Sequence, residues 1–167
     1  MKKHIFVTNG MARCGKDTFA QFLGEIVPVA KYSSIDRIKE ISRLVGWDGV
    51  IKTEKERKLW SDMKSAFTEY SDFPFRVTCE RIDEFLADTE NMVLLIDVRE
   101  ASEIEKLKKS HGVLAILIKN DNVKTINSNE SDKNVFNYDY DFVIENNGTL
   151  EEFRQKVKTF AEMLEEA

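Results

Sequence analysis

Gly10-Met11-Ala12-Arg13-Cys14-Gly15-Lys16-Asp17-Thr18 is the segment of this sequence with the most legible chemistry. Gly10 and Gly15 admit backbone conformations that turn several N–H groups toward one concavity. A helix starting at Lys16 would add the positive end of its dipole, and Lys16 itself supplies a mobile ammonium. Backbone donors, a dipole and a lysine at this spacing form a phosphate cradle, provided that a strand precedes them and a helix follows. Residues Gly10, Met11, Ala12, Arg13, Cys14, Gly15, Lys16, Asp17 and Thr18 are therefore candidates for holding a nucleotide's phosphates. Lys16 can follow a phosphoryl group in transfer, and Arg13 places a second cation inside the loop. After the lysine such loops use Ser or Thr to bind Mg²⁺. Here Asp17 stands in that position and Thr18 follows, so either the carboxylate or the hydroxyl would hold the metal. Cys14 reads either as a thiol acidified by the helix start or as a small filler.

Further candidates lie at the ends of two other apolar runs. Met92-Val93-Leu94-Leu95-Ile96 leads into Asp97-Val98-Arg99. In parallel sheets ligands bind outside the carboxyl ends of the strands. Asp97 there suits a metal-bound water, and Arg99 suits a bidentate contact to phosphate. A pair between Arg99 and Glu103 is the structural alternative. After Tyr32-Ser33-Ser34, the residues Asp36, Arg37 and Lys39 fall in a first helical turn, where a cation suits an acceptor phosphate. Ser33 or Ser34 would cap that helix.

The elements needed to position these residues are visible as patterns. Five short runs read as buried strands: 4–8, 29–33, 92–98, 113–119 and 141–145. Helical spacing covers 17–27 (Phe19, Phe22, Leu23, Ile26) and 35–45 (Ile38, Ile41, Leu44, Val45). Thr53 with Glu56 opens a helix whose inner face is read as Leu59, Met63, Phe67 and Tyr70. Asp72-Phe73-Pro74-Phe75 breaks it, and Ile82, Phe85 and Leu86 follow on the next helix. Ile104 and Leu107 mark a short helix. Thr149 with Glu152 opens the last one, with Leu150, Phe153, Val157, Phe160 and Leu164 facing inward. The alternation predicts one α/β domain with a mostly parallel sheet. Residues 119–140, rich in Asn, Ser and Asp, read as a long functional loop.

Composition bounds the function. A chain of 167 residues with 42% hydrophobic and 33% charged residues is one globular domain. Its net charge of −5 argues against a nucleic-acid surface, but residues 1–43 carry eight basic and four acidic side chains, so anion binding belongs near the N-terminus. Cys14 and Cys79 predict free thiols and a cytoplasmic setting. No apolar run predicts a signal peptide or membrane span. His4 and His111 have no metal-ligand spacing. Asp97-Val98-Arg99-Glu100 lacks the glycine of a GTPase Asp-x-x-Gly, and no Asn-Lys-x-Asp base-reading motif is present.

The Gly-x-x-x-x-Gly-Lys-Asp-Thr loop, Asp97-Val98-Arg99 and the run Asp141-Phe-Val-Ile-Glu-Asn-Asn-Gly-Thr-Leu-Glu-Glu152 resemble the nucleoside monophosphate kinase superfamily. The phage-type deoxynucleoside monophosphate kinases and the phosphomevalonate kinases, which share Gly-Lys-Asp, are the nearest in pattern. Trp47 to Lys58 is similar to the acceptor-side region of the phage group. The resemblance implies an α/β, three-layer P-loop kinase fold with five mostly parallel strands, a helical acceptor-binding insertion over about 36–90 and a lid over about 119–140. It implies ATP and Mg²⁺ as cofactors, small-molecule nucleotide substrates and a monomer or homodimer, without nucleic acid or membrane. It implies an acceptor site drawn from Asp36, Arg37, Lys39, Arg76 and Arg99, a metal held by Asp17, Thr18 and Asp97, and Lys16, Arg13 and Arg99 as catalytic residues. Trp60, Phe67, Tyr70, Phe73 and Phe75 read either as the lining of that site or as plain core. The lid departs from the pattern: it has Lys119, Lys124 and Lys133 but no arginine. Asn146-Asn147-Gly148 reads as a base-side loop or a plain turn. Phosphoryl transfer to a nucleoside monophosphate is thus expected. A non-nucleotide phosphate acceptor, and a nucleotide sensor without turnover, are the competing readings.

Overall fold

The computed structural model describes residues 2–123 and 135–166. Five parallel strands form one sheet: β1 (His4–Asn9), β2 (Val29–Ser33), β3 (Val93–Asp97), β4 (Leu114–Lys119) and β5 (Phe142–Glu145), in the order β2-β3-β1-β4-β5. Among the described residues six α-helices connect and follow them: α1 (Lys16–Gly24), α2 (Asp36–Leu44), α3 (Glu54–Ser71), α4 (Phe73–Ala87), α5 (Ala101–His111) and α6 (Leu150–Glu166). Half of the segment expected to form a lid, residues 124–134 with Lys124 and Lys133, lies outside the described residues.

The apolar runs form the sheet because its inner strands are covered on both faces. Successive side chains of β1 go to opposite layers. Phe6 joins a core with Phe19, Phe22 and Leu23 of α1 and with Phe153, Val157 and Phe160 of α6. Val7 joins a second core with Ile82 and Phe85 of α4 and with Ile104 and Leu107 of α5. The first core is rich in aromatic edges: Phe160 lies 5.4 Å from Phe6, 5.7 Å from Phe19 and 5.4 Å from Phe142, centroid to centroid.

Both expected capping boxes form. Thr53 N–H donates to Glu56 Oε2 at 2.9 Å, and the Thr53 hydroxyl accepts from Lys55 N–H. Thr149 N–H donates to Glu152 Oε2 at 2.6 Å, while Glu152 N–H returns to the Thr149 hydroxyl at 3.2 Å. Asp72, in the left-handed region at φ 51°, divides α3 from α4, and Pro74 occupies the first turn that follows.

Several helical faces differ from expectation. Ile26, Leu44, Val45, Tyr70, Leu86 and Leu150 are exposed. In α3 the buried position is Trp60, one residue on from Leu59, because the helix packs through the Trp60 edge onto Trp47, with centroids 4.9 Å apart. Helix α1 ends at Gly24, ahead of Pro28. Helix α2 has Ile35 at its N-cap, so neither Ser33 nor Ser34 caps it; instead Ser33 N–H donates to Asp36 Oδ2 at 2.8 Å. Among the described residues no helix is long and apolar enough to cross a membrane.

Phe160 contacts three aromatic rings across the first core and is 3% exposed. Phe160→Ala is expected to destabilise the fold by about 3–5 kcal/mol. Urea unfolding with an unchanged m-value checks this; a loss below about 1 kcal/mol would show that the layer is not packed through this ring.

Candidate phosphate-binding site

The loop between β1 and α1 has the backbone of a nest. Gly10 sits at φ 148°, Arg13 at φ 65° and Gly15 at φ 109°. For Arg13 the left-handed conformation is one that a side chain adopts at a cost, offset by what surrounds it. The first helical bond runs from Phe19 N–H to the Gly15 carbonyl at 2.8 Å, so the N–H groups of the preceding turn have no helical acceptor. They stand at the positive end of α1. Lys16 Nζ lies across the loop and donates to the carbonyls of Gly10 at 2.8 Å and Met11 at 3.1 Å. An anion drawn to this nest therefore meets backbone donors, a dipole end and an ammonium together.

The loop is held from behind by its neighbours. A Cβ at Gly10 would stand 2.4 Å from the Ile118 carbonyl oxygen of β4 and 2.6 Å from Cys14 Sγ. A Cβ at Gly15 would stand 2.5 Å from Asn146 Nδ2, and that amide donates to the Cys14 carbonyl at 2.9 Å. Asn146 N–H in turn donates to the Lys119 carbonyl at 2.7 Å. Asn146 is thus a tether for the loop, and the role of a base-side contact or plain turn misses this. Asn9 Oδ1 accepts from Gly10 N–H at 2.8 Å, and its amide donates to Tyr140 Oη at 2.9 Å and to the Arg99 carbonyl at 3.3 Å. Burial pushes the Tyr140 phenol up to about 12. Cys14 is buried, and burial pushes its thiol up against the pull of Lys16, so the reading of Cys14 as an acidified thiol is corrected to that of a filler.

Two of the three expected metal residues, Asp17 and Asp97, share a partner that the sequence patterns did not single out. Thr8 pairs with Asp97 in the β1–β3 register, and its hydroxyl donates to Asp97 Oδ1 at 2.5 Å. Lys31 Nζ, from the edge strand β2, lies 3.5 Å from Asp97 Oδ2 and is hydrogen-bonded to Asp17 Oδ1. One ammonium therefore already bridges Asp17 and Asp97. The bond from Lys31 holds the Asp17 carboxyl below its ordinary range, with Lys16 adding to the effect. Burial works against the charge on Lys31, but Asp17 and Asp97 together raise it above the usual lysine value. Two hard oxygen donors close enough to share one cation fit Mg²⁺. Among the described residues no group of three or more His, Cys, Asp or Glu side chains forms a metal cage, so such an ion would draw its other ligands from phosphate and water.

The sequence matches no protein-family model and no curated protein at a significant level. Solved structures do match over nearly the whole chain. Thymidylate kinase from Candida albicans is 12% identical, with a TM-score of 0.52 over 98% of this chain and 93% of its own. A sugar kinase from Janibacter is 12% identical, at 0.52 over 97% and 95%. Dephospho-CoA kinase from Campylobacter jejuni is 17% identical, at 0.50 over 96% and 97%. The chain has the P-loop kinase fold.

Within this P-loop kinase fold, Asp36, Arg37, Lys39 and Arg76, expected on the acceptor side, each have a nearby partner. Asp36 is engaged locally, by Ser33 N–H and by Lys39 Nζ at 2.9 Å. Arg37 is exposed and pairs with Glu40. Arg76 is exposed and donates to the Ser71 carbonyl at 3.1 Å, closing the end of α3. Lys39 lies over the Trp60 ring at 5.9 Å. Glu103 does not pair with Arg99; it binds Lys64 at 2.6 Å, with side chains 10% and 18% exposed. Lys64 also reaches Ser34 Oγ at 3.5 Å. The pair lines a cleft of about 90 Å³ between α3, α4 and α5, with Thr68, Phe75, Glu100 and Lys106. Neither Lys64 nor Glu103 was singled out as a ligand from the sequence. The available signal was a glutamate at an inward position of α5, beside Ile104.

Gly15→Ala is expected to destabilise the protein by roughly 1–3 kcal/mol through its positive φ and the Asn146 amide. In the Gly15→Ala/Asn146→Ala double variant the steric part disappears, so the loss should fall short of the sum of the two single losses. A double-mutant cycle by chemical denaturation measures this, and strict additivity would show that Asn146 does not close on the loop.

Proposed function

We propose that this chain is a small-molecule kinase that transfers the γ-phosphoryl group of ATP to a small phosphorylated acceptor, a (deoxy)nucleoside monophosphate, giving the diphosphate. The observation that carries the reading is the loop nest at the start of α1, with Lys16 Nζ across it and the Asp17–Lys31–Asp97 cluster beside it. A phosphate acceptor is already an anion and needs no strong base, so the work is alignment and charge neutralisation.

The roles follow from position. The loop N–H groups of residues 10–18 hold the donor phosphates. Lys16 leaves the Gly10 and Met11 carbonyls for phosphate oxygens, exchanging neutral acceptors for charged ones. Arg13, exposed on the loop, and Arg99, after β3, offset charge as the phosphoryl group moves. Mg²⁺ would be held by Asp17 or Thr18 and, through water, by Asp97, and when bound it neutralises charge shared between the β- and γ-phosphates. Asn9, through its hydrogen bond to Gly10 N–H, keeps the first loop donor aligned.

The acceptor side is proposed at the cleft between α3, α4 and α5, where Lys64 and Lys106 would have to leave Glu103 and Asp72 to meet a phosphate, and where Glu100 adds a third carboxylate. Lys39 stands at the β2 side of that region. Helices α2, α3 and α4 then make up the acceptor-binding insertion.

Lys16→Ala should leave the circular dichroism spectrum and melting cooperativity intact and lower phosphoryl transfer by on the order of 10²–10³-fold. The assay is ADP release with Mg²⁺-ATP across a panel of nucleoside monophosphates and other phosphate esters. ADP formation that rises only with a nucleoside monophosphate supports the reading. Stimulation only by a non-nucleotide ester would replace the acceptor, and turnover by Lys16→Ala equal to that of the native chain would remove the mechanism.

A further inference from the structure

Lys31 is out of place by the logic of its strand. Strand β2 reads Val29-Ala30-Lys31-Tyr32-Ser33, and in a sheet of nearly continuous apolar runs a lysine needs a reason. Position on the edge of the sheet explains why a charge is tolerated there. It does not explain where the charge goes. The side chain of Lys31 is itself exposed and that of Asp17 is 94% exposed, so the pair lies at the surface, yet the ammonium is not left to solvent. It crosses to the carboxyl end of the strands, where it bonds Asp17 at the start of α1 and stands 3.5 Å from Asp97 at the end of β3. Those two carboxylates come from separate elements, one on each side of the loop nest. A third contact fixes the geometry: Asp97 is held through its other oxygen by the Thr8 hydroxyl at 2.5 Å.

Two carboxylates brought this close repel each other unless a cation lies between them. We propose that Lys31 is a positioning residue of the transfer site, an internal counter-ion whose ammonium holds Asp17 and Asp97 as a pair and gives up that place when a divalent cation enters with the nucleotide. The proposal rests on the kinase reading for the identity of the ligand, while its charge argument rests on the three side chains alone. Its chemistry is exchange of one cation for another, with no bond broken. Lys31 keeps the pair from collecting a free metal ion, so metal binding becomes tied to arrival of the phosphates, whose negative charge offers the displaced ammonium a new partner. The substitution of Asp17 for the usual hydroxyl-bearing residue then has a counterpart: the extra negative charge beside the loop is matched by an extra lysine.

The test is Mn²⁺ binding to the full chain, followed by electron paramagnetic resonance without nucleotide, for the native protein and for Lys31→Met and Lys31→Arg. Removing the ammonium exposes both carboxylates to the metal, so Lys31→Met should bind Mn²⁺ at least about tenfold more tightly than the native chain. Lys31→Arg keeps the charge and should stay near the native value. Asp17→Asn added to Lys31→Met should abolish the gain. Equal Mn²⁺ affinity in the native chain and a folded Lys31→Met would overturn the proposal, as would a gain in Lys31→Arg as large as that in Lys31→Met. If Lys31→Met does not fold, Lys31→Gln carries the same expectation with a polar head. A second readout is the Mg²⁺ dependence of ADP release: Lys31→Met should reach half-maximal rate at lower Mg²⁺, an effect that simple loss of stability would not produce. Because Mn²⁺ binding needs no turnover, a chain that gains affinity but transfers no phosphate would defeat the kinase reading and keep this one. An active kinase indifferent to Lys31 in both readouts would do the reverse.

Discussion

The loop from Gly10 to Lys16 has to keep several N–H groups aimed at one point while leaving them without acceptors of their own. Unpaired backbone donors are costly, and a loop free to relax would turn them back into the chain. Here relaxation is blocked on three sides. The β4 backbone lies against Gly10, the Asn146 amide holds the Cys14 carbonyl, and Asn9 takes up the Gly10 N–H. The sheet order matters for this reason: β1 is central, so β3 and β4 can both buttress the loop that follows it. The first core then fixes α1 against the sheet, and with it the direction of the helix dipole.

Charge is arranged around that loop in compensated sets. The net charge of −5 is no obstacle to a polyanionic ligand, because what the ligand meets is local. Lys16 covers the nest, Lys31 lies between Asp17 and Asp97, and Lys64 lies against Glu103. Each of these cations already has a carbonyl or carboxylate partner. The more buried Lys64–Glu103 pair differs from the exposed pairs on α2 and α3. Removing either member would leave a nearly buried charge alone, whereas Arg37–Glu40 and Lys58–Asp62 are solvated and contribute little.

Much of this was legible in the sequence wherever the signal is local. The apolar runs gave the five strands to within a residue or two at each end, since strands buried on both faces carry their own signature. The boxes at Thr53–Glu56 and Thr149–Glu152 are closed within four residues and read directly. The phosphate loop also declares itself, because its glycines are required by backbone geometry rather than by distant partners. What the sequence hid are pairs made by the fold: Lys31 with Asp97, Lys64 with Glu103, and Asn146 with the Cys14 carbonyl, the last separated by 132 positions. The present partners of Arg37, Arg76 and Glu103, which are Glu40, the Ser71 carbonyl and Lys64, were not read from the sequence either. The inner face of α3 was misjudged by one residue because Leu59 and Trp60 both suit a core, and only the ring of Trp47 decides between them.

The centre of the sheet is also its earliest strand. β1 pairs with β3 and β4 alone, and the bond from Thr8 to Asp97 spans 89 positions. At roughly 5–20 residues per second, the ribosome delivers Cys14 some 7–26 seconds before the Asn146 that tethers it, a separation of 132 positions. During that interval the loop lacks its tether, and β1 has two unpaired edges only until β3 and then β4 are made. The loop is therefore completed late although its sequence is among the first made. A nascent chain carries the motif before it has the tether that shapes it.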